Sequence, residues 1–187
     1  MKFSWLYPLP LSLRFRLAVL LAGALWGCSS AWSQTVLENA TLLGMTRQQM
    51  EPALVGALPV RLPRRLSSGA LGSLRVPDVL CEGAHFEQTL FFTHQKLEQM
   101  DLVLLNPGSG SSSEDTVTKT QASLLQSLRA ELGPELASFA SSPEAMADMA
   151  SWVSASADVM LFRSGKPDHP TLRVVIKQRQ RVDASEL

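Results

Sequence analysis

The sequence predicts an α+β fold: a single antiparallel sheet of about five strands with two main helices on one face, in the order helix, hairpin, helix, hairpin. Three observations predict it. Apolar residues alternate with polar ones in two separate stretches, 86–104 and 172–179, as in half-buried strands. A leucine-rich stripe at helical spacing lies between them. A helix start signal around Thr46 precedes the first stretch.

Thr46 and Gln49 open the first predicted helix. Their spacing fits a capping box, in which the hydroxyl accepts the Gln49 amide hydrogen and the Gln49 side chain reaches back. Met50 and Leu54 then share one helical face. Pro52 lies beyond the first turn and removes a backbone donor, so we expect a short helix that is kinked or restarted there.

The clearest strand pattern is a hairpin at 86–104. Phe86 and Leu90 alternate with polar residues, and a tight connection lies around His94–Lys96. We expect residues 74–80 to add one strand before this hairpin.

A second helix and hairpin are predicted after a flexible break at 106–115, which is rich in Gly and Ser. Asp115 is the predicted cap of the helix, and Gly133 ends it. One further helical turn is predicted from Ser142. Residues 151–179 then form the second hairpin. The helix stripe consists of Val117, Leu124, Leu125, Leu128 and Leu132.

Residues 1–33 are predicted to be a signal peptide, because basic residues precede an apolar run that is too short to span a bilayer. Two processing routes stay open. Cleavage after Ser33 would release a periplasmic chain, whereas cleavage before Cys28 would give an outer-membrane lipoprotein attached through that cysteine. Residues 34–179 then form a single α+β domain, and 180–187 a polar tail.

Removal of the predicted leader changes the charge balance. The full chain has 17 basic and 17 acidic residues; three basic residues and no acidic residue lie in the leader, which leaves 14 against 17, a net charge of −3. Such a chain lacks the basic excess of a general nucleic-acid binder. Cys81 would be the one remaining cysteine, so no intrachain disulfide is expected, and a buried apolar role is favoured for it.

The string Gly44-Met45-Thr46, followed by apolar Met50 and Leu54 and then by strands, resembles small exported proteins of the SmpA/OmlA type. The resemblance covers about residues 42–105. That group includes a small lipoprotein subunit of the outer-membrane β-barrel assembly machinery. The overall plan also resembles the β-lactamase-inhibitor-like α+β superfamily, whose members often bind other proteins. The resemblance therefore implies protein binding, and it assigns no functional residues here.

Residue spacing predicts no catalytic, cofactor-binding or metal-binding residues. The histidines His85, His94 and His169 are scattered and lack ligand spacing. Glu98 and Asp101 are expected on the solvent face of their strand rather than as a catalytic pair. The chain is therefore predicted not to be an enzyme and to need no cofactor.

Two groups of basic residues are candidates for contact with an anionic partner. The first comprises Arg61, Arg64, Arg65 and Arg75, and the second, in the last strand, comprises Arg173, Lys177, Arg179 and Arg181. Such groups can bind lipid headgroups, lipopolysaccharide or an acidic protein. A solvated strand face would show the same alternation, and the pattern favours that simpler interpretation.

Taken together, the sequence predicts an exported, non-catalytic accessory protein that binds another envelope protein through a sheet face or the loop at 59–77. One alternative is an outer-membrane lipoprotein in envelope assembly, which would contact the membrane only if Cys28 is lipidated. A second alternative is a small enzyme or ligand carrier with a pocket between helix and sheet. The partner's identity and the oligomeric state stay open.

Overall fold

The protein is described here from a computed structural model, for residues 34–50, 52, 54, 56–105, 111–140, 148–166 and 169–179. The predicted signal peptide with Cys28, residues 106–110 of the predicted break and the predicted polar tail at 180–187 lie outside these residues. The helices are α1 (Val36–Ala40), α2 (Arg47–Met50) and α3 (Ser111–Leu132). The strands are β1 (Leu58–Pro59), β2 (Leu71–Cys81), β3 (Ala84–Thr93), β4 (Lys96–Leu104), β5 (Ala137–Phe139), β6 (Met149–Val153), β7 (Ala157–Lys166) and β8 (His169–Gln178).

All eight strands form one antiparallel sheet in the order β1-β2-β3-β4-β8-β7-β6-β5. Each half of this order is a meander of four consecutive strands. The two halves meet at the centre, where β4 pairs with β8 and Leu102 lies opposite Val174. The strand order is therefore symmetric about the β4–β8 pair, and each meander follows helical structure in the chain.

The predicted fold class is wrong in its numbers of strands and helices. Within the described residues the sheet has eight strands rather than about five, and only α3, with 22 residues, is a long helix. The edge strands β1 and β5 have two and three residues, too few to show an alternating pattern. The first arm of the predicted second hairpin, residues 151–164, is divided by a turn, in which the Ser154 amide donates to the Ala157 carbonyl at 2.8 Å.

The first predicted helix is short, with four residues, so it is not a second main helix. Its cap is present, because the Thr46 amide donates to Gln49 Oε1 at 2.8 Å and the Gln49 amide donates to Thr46 Oγ1 at 3.3 Å. The α-helix nevertheless ends at Met50, before Pro52. A second capping box, between Thr35 and Glu38, starts the unpredicted helix α1.

Helix α3 begins at Ser111, so residues 111–115 of the predicted flexible break are helical and Asp115 is not its cap. Serine is favoured at helix N-caps and acidic residues in the first helical turn, so a run of both is compatible with a helix start as well as with a loop, and composition alone misplaced this start. The helical turn predicted from Ser142 falls largely outside the described residues, and strand β6 begins at Met149.

The core lies between the helices and one face of the sheet. Val117, Leu124 and Leu128 of α3 are fully buried and belong to the same apolar cluster as Leu102 and Val174 of the central strands. None of the helices in the described part of the chain is both long enough and apolar enough to cross a bilayer. The alternate side chains of each strand point to the second face of the sheet, away from this cluster.

Candidate functional site

The second face of the sheet carries the charged residues of the central strands. In β3, Glu87 and Thr89 alternate with the buried core residues Phe86 and Leu90, and thus lie on the second face. The neighbouring strand β4 contributes to the same face, since Thr89 lies directly opposite Asp101. Polar side chains therefore line up across neighbouring strands, on the side opposite the apolar core.

A groove of about 560 Å³ opens on this face, between the loop that follows β1 and strands β2, β3, β4 and β8. Its walls and floor include four arginines and two carboxylates. We call this site the arginine groove; its charged residues are Arg61, Arg64, Arg75, Arg173, Glu87 and Asp101.

Asp101 is the centre of the hydrogen-bond network in the arginine groove. Its side chain is only 4% exposed, and its Oδ2 accepts from Arg64 Nη2 at 2.6 Å and from Arg173 Nη2 at 2.5 Å. Gln99 Nε2 donates to the other oxygen, Oδ1, at 2.7 Å. Both carboxylate oxygens therefore have donors, as a buried carboxylate requires.

The guanidinium of Arg64 lies over an aromatic ring of the sheet. Its guanidinium carbon lies 5.2 Å from the centroid of the Phe91 ring, a distance typical of a cation–π contact. The ring itself packs against the backbone of Gly72, where an added Cβ would lie 2.7 Å from Phe91 Cε1. Gly72 thus lets the ring, and with it Arg64, sit close to the sheet.

The remaining charges of the groove are more accessible. Arg75 Nη1 lies 2.9 Å from Glu87 Oε2, with both side chains over a third exposed. Arg61 is exposed and has no ion-pair partner among the residues that the structure describes. Four guanidiniums against two carboxylates leave the groove with two positive charges. The arrangement can therefore bind an anionic group.

Three of the four arginines predicted as one candidate group line the groove: Arg61, Arg64 and Arg75. Arg65 does not, since its Nη1 donates to the Gly69 carbonyl at 2.9 Å within its own loop. Arg173, from the second predicted group, completes the groove. The rest of that group lies elsewhere: Lys177 is farther along β8, Arg179 donates to the Ser154 carbonyl, and Arg181 is outside the described residues.

Glu98 and Asp101 contradict the prediction of a solvent face, because both side chains are buried. Asp101 is covered by arginines from a loop and from β8, which are 37 and 72 residues away along the chain. Sequence reasoning missed Asp101, Glu87 and Gln99 as parts of a site. The one available signal was their regular alternation with apolar residues. Alternation shows on which face of the sheet a side chain lies, but not whether other residues bury that face.

Other chemistry finds little support in the described ranges. No three His, Cys, Asp or Glu side chains in those ranges are grouped as metal ligands. His85 Nδ1 lies 2.7 Å from Asp78 Oδ1 at the surface, with no nucleophile paired to it there. Burial, with smaller contributions from the nearby charges of Glu82 and Glu38, raises the pKa of Cys81 to about 12, which leaves a protonated and inert thiol.

Comparisons of the chain with protein-family models, with curated proteins and with solved structures found no match.

Proposed function

We propose that this chain is a non-catalytic binding protein of the cell envelope that recognises an acidic segment of another protein through the arginine groove. One observation carries the proposal: four arginines converge around two carboxylates in an open groove of about 560 Å³. Arginine is well suited to this task, since its planar guanidinium pairs with a carboxylate through two parallel hydrogen bonds.

The distribution of charge supports a specific contact over general anion binding. The full chain is neutral, with 17 basic and 17 acidic residues, and it would be negative without the predicted leader, so the excess positive charge of the groove is local. A local field of this kind steers and orients an oppositely charged partner. It does not supply the broad basic surface that a nucleic-acid backbone requires.

The packing of the other face supports a binding role over a ligand carrier. The predicted pocket between helix and sheet would have to open where α3 meets the central strands. That region is filled by fully buried side chains, among them Leu124, Leu128 and Leu172. An opening of about 380 Å³ does lie beside α3, between Thr116–Ser123 and the end of β4, but it is at the rim of the sheet and not in the filled interface. The arginine groove, of about 560 Å³, carries the convergent polar groups that ligand sites show.

The envelope location rests on the predicted leader at 1–33, and both processing routes belong to the proposal. The leading form is a periplasmic protein that begins at Gln34, and the alternative is an outer-membrane lipoprotein in envelope assembly, attached through Cys28. Mass spectrometry of the mature protein separates them, because only the lipoprotein carries a diacylglyceryl group.

A peptide-binding experiment tests the function. The probe is a fluorescein-labelled, glutamate-rich peptide in a Gly/Ser background, and a peptide with glutamine in place of glutamate is its control. We expect the glutamate peptide to bind, to weaken at higher ionic strength, and to weaken about tenfold or more in the double variant Arg61→Ala, Arg75→Ala.

Arg65→Ala is the matched control variant, since Arg65 lies in the same loop but outside the groove lining. It should leave the affinity for the glutamate peptide within about twofold of that of the unaltered protein. Equal binding of the glutamate and glutamine peptides, or an equal loss in the control and groove variants, would contradict the proposal.

A further inference from the structure

The second face of the sheet changes character beyond the arginine groove. Arg173 lies opposite Phe162 on β7, Phe162 lies opposite Met149 on β6, and Met149 lies opposite Phe139 on β5. Since directly opposed residues of antiparallel strands share a face, these four side chains form one line across the sheet. We call Phe162, Met149 and Phe139 the apolar row.

The apolar row starts at the groove and ends at the edge of the sheet. Neighbouring strands lie about 4.8 Å apart, so the three steps from Arg173 to Phe139 cover about 14 Å. Phe139 is 63% exposed at the edge, whereas Phe162 and Met149 are half-buried. The described helices pack on the opposite face, so none of them covers this row.

The edge strand β5 exposes a large aromatic side chain, Phe139. Phe139 is the one aromatic among the exposed large apolar residues of the described ranges, and the edge strand that holds it contains no lysine, arginine or proline. The opposite edge strand also exposes an apolar side chain, Leu58, but it ends at Pro59 and is followed by Arg61, both of which discourage association. An unprotected aromatic edge next to a charged groove is typical of a binding surface.

We propose that the arginine groove and the apolar row form a single interface, which takes a protein segment that is acidic at one end and apolar at the other. The inference rests on the proposed function and specifies its partner. The carboxylates of the segment would pair with the free donors of the groove, and large apolar side chains about 14 Å away would cover Phe162, Met149 and Phe139. In an extended segment this distance corresponds to about four residues.

Charge and side-chain type both favour such a segment over a membrane surface. Glu87 and Asp101 lie among the arginines, and a dense layer of lipid phosphates would be brought against both carboxylates. A peptide can instead place single carboxylates beside chosen guanidiniums. Met149, with its flexible thioether, can adapt to the apolar side chains that a segment brings.

Two probe peptides test the inference. The amphipathic probe has a glutamate pair, a short Gly/Ser spacer and a Phe-Leu-Phe end; the acidic probe has serines in place of the apolar end. We expect Phe139→Ser to weaken binding of the amphipathic probe about five- to tenfold and to leave binding of the acidic probe unchanged. Phe139→Tyr should retain most of the affinity.

Leu105→Ser is the matched control, because Leu105 is also an exposed apolar residue, 40% accessible, and lies outside both the groove and the apolar row. It should change neither affinity. Circular dichroism and the midpoint of thermal unfolding verify that each variant is folded.

The possible results separate the inference from the function on which it rests. If both probes bind and Phe139→Ser weakens neither, the single interface is wrong while the acidic recognition stands. If neither probe binds, the proposed function fails as well. If the protein instead floats with phosphatidylglycerol vesicles in a Phe139-dependent manner and binds neither probe, the occupant is a lipid surface and the inference is overturned.

Discussion

Arg173 reaches diagonally from β8 to β4 and places its Nη2 2.5 Å from Oδ2 of Asp101. Arg64, from the loop after β1, donates to the same oxygen at 2.6 Å. One buried carboxylate thus joins two segments that are far apart in the chain. The same contact also limits the groove, because it occupies donors of both arginines that an acidic ligand could otherwise use.

Asp101→Asn should therefore separate stability from binding. Loss of the negative charge weakens two charge-assisted hydrogen bonds, and we expect the free energy of unfolding to fall by about 1–2 kcal/mol, since Arg64 is 57% exposed and can turn to water. The groove gains one net positive charge, so the affinity for the glutamate peptide should rise about threefold or more. Urea unfolding and fluorescence anisotropy measure the two effects.

The control for this variant is Asp158→Asn. Asp158 lies in β7, on the same face of the sheet as Asp101 but outside the groove, so this variant also removes one carboxylate from that face. It makes the same change in total charge. An equal rise in peptide affinity in both variants would show that total charge, rather than the released arginines, controls binding.

Gly72→Ala tests the packing beneath Arg64. The new Cβ would lie 2.7 Å from Cε1 of Phe91, and the buried ring has little room to move. We expect the free energy of unfolding to fall by about 1–3 kcal/mol, the usual cost of overpacking. Urea unfolding in a Phe91→Leu background is the decisive comparison, because the smaller side chain makes space for the methyl group. A cost of Gly72→Ala that is the same in both backgrounds would contradict this account.

The sequence predicted those parts of the fold that depend on local patterns. The hairpin of β3 and β4 follows from its alternation, and the stripe of α3, from Val117 to Leu128, is buried as helical spacing implies. Strands β1 and β5 were missed because they are short edge strands held in place by their neighbours.

The candidate site was predictable only in part, because only some of it depends on local patterns. The cluster of arginines in the loop was visible as composition, and alternation placed Asp101 on the face away from Leu102. Whether that face is open or covered depends on Arg64 and Arg173, which reach Asp101 from distant parts of the chain. Pairing of this kind is a tertiary contact that no local pattern encodes.

Glu98 should give the protein a pH-dependent contribution to stability. Burial acts to raise the pKa of this carboxyl, but hydroxyl hydrogen bonds, including one from Thr93 at 2.6 Å, outweigh it and lower the pKa below 4.5. Because the folded pKa is below the unfolded one, the contribution is complete above pH 4.5 and is lost as the pH falls through the folded pKa. The difference in unfolding free energy between the unaltered protein and Glu98→Gln should therefore be constant above that pH and shrink below it.

Glu131 supplies a control with the opposite sign. Glu131 is exposed, and partial desolvation, aided by the nearby charges of Glu82 and Glu38, raises the pKa of its carboxyl, so its ionised form destabilises the fold slightly. This penalty is complete above the folded pKa and disappears as the pH falls to the unfolded value. Glu131→Gln should thus stabilise the protein at neutral pH and lose that advantage in acid, as urea unfolding across the pH range would show. If the two variants follow the same pH trend, general acid unfolding rather than the contacts of Glu98 sets the response.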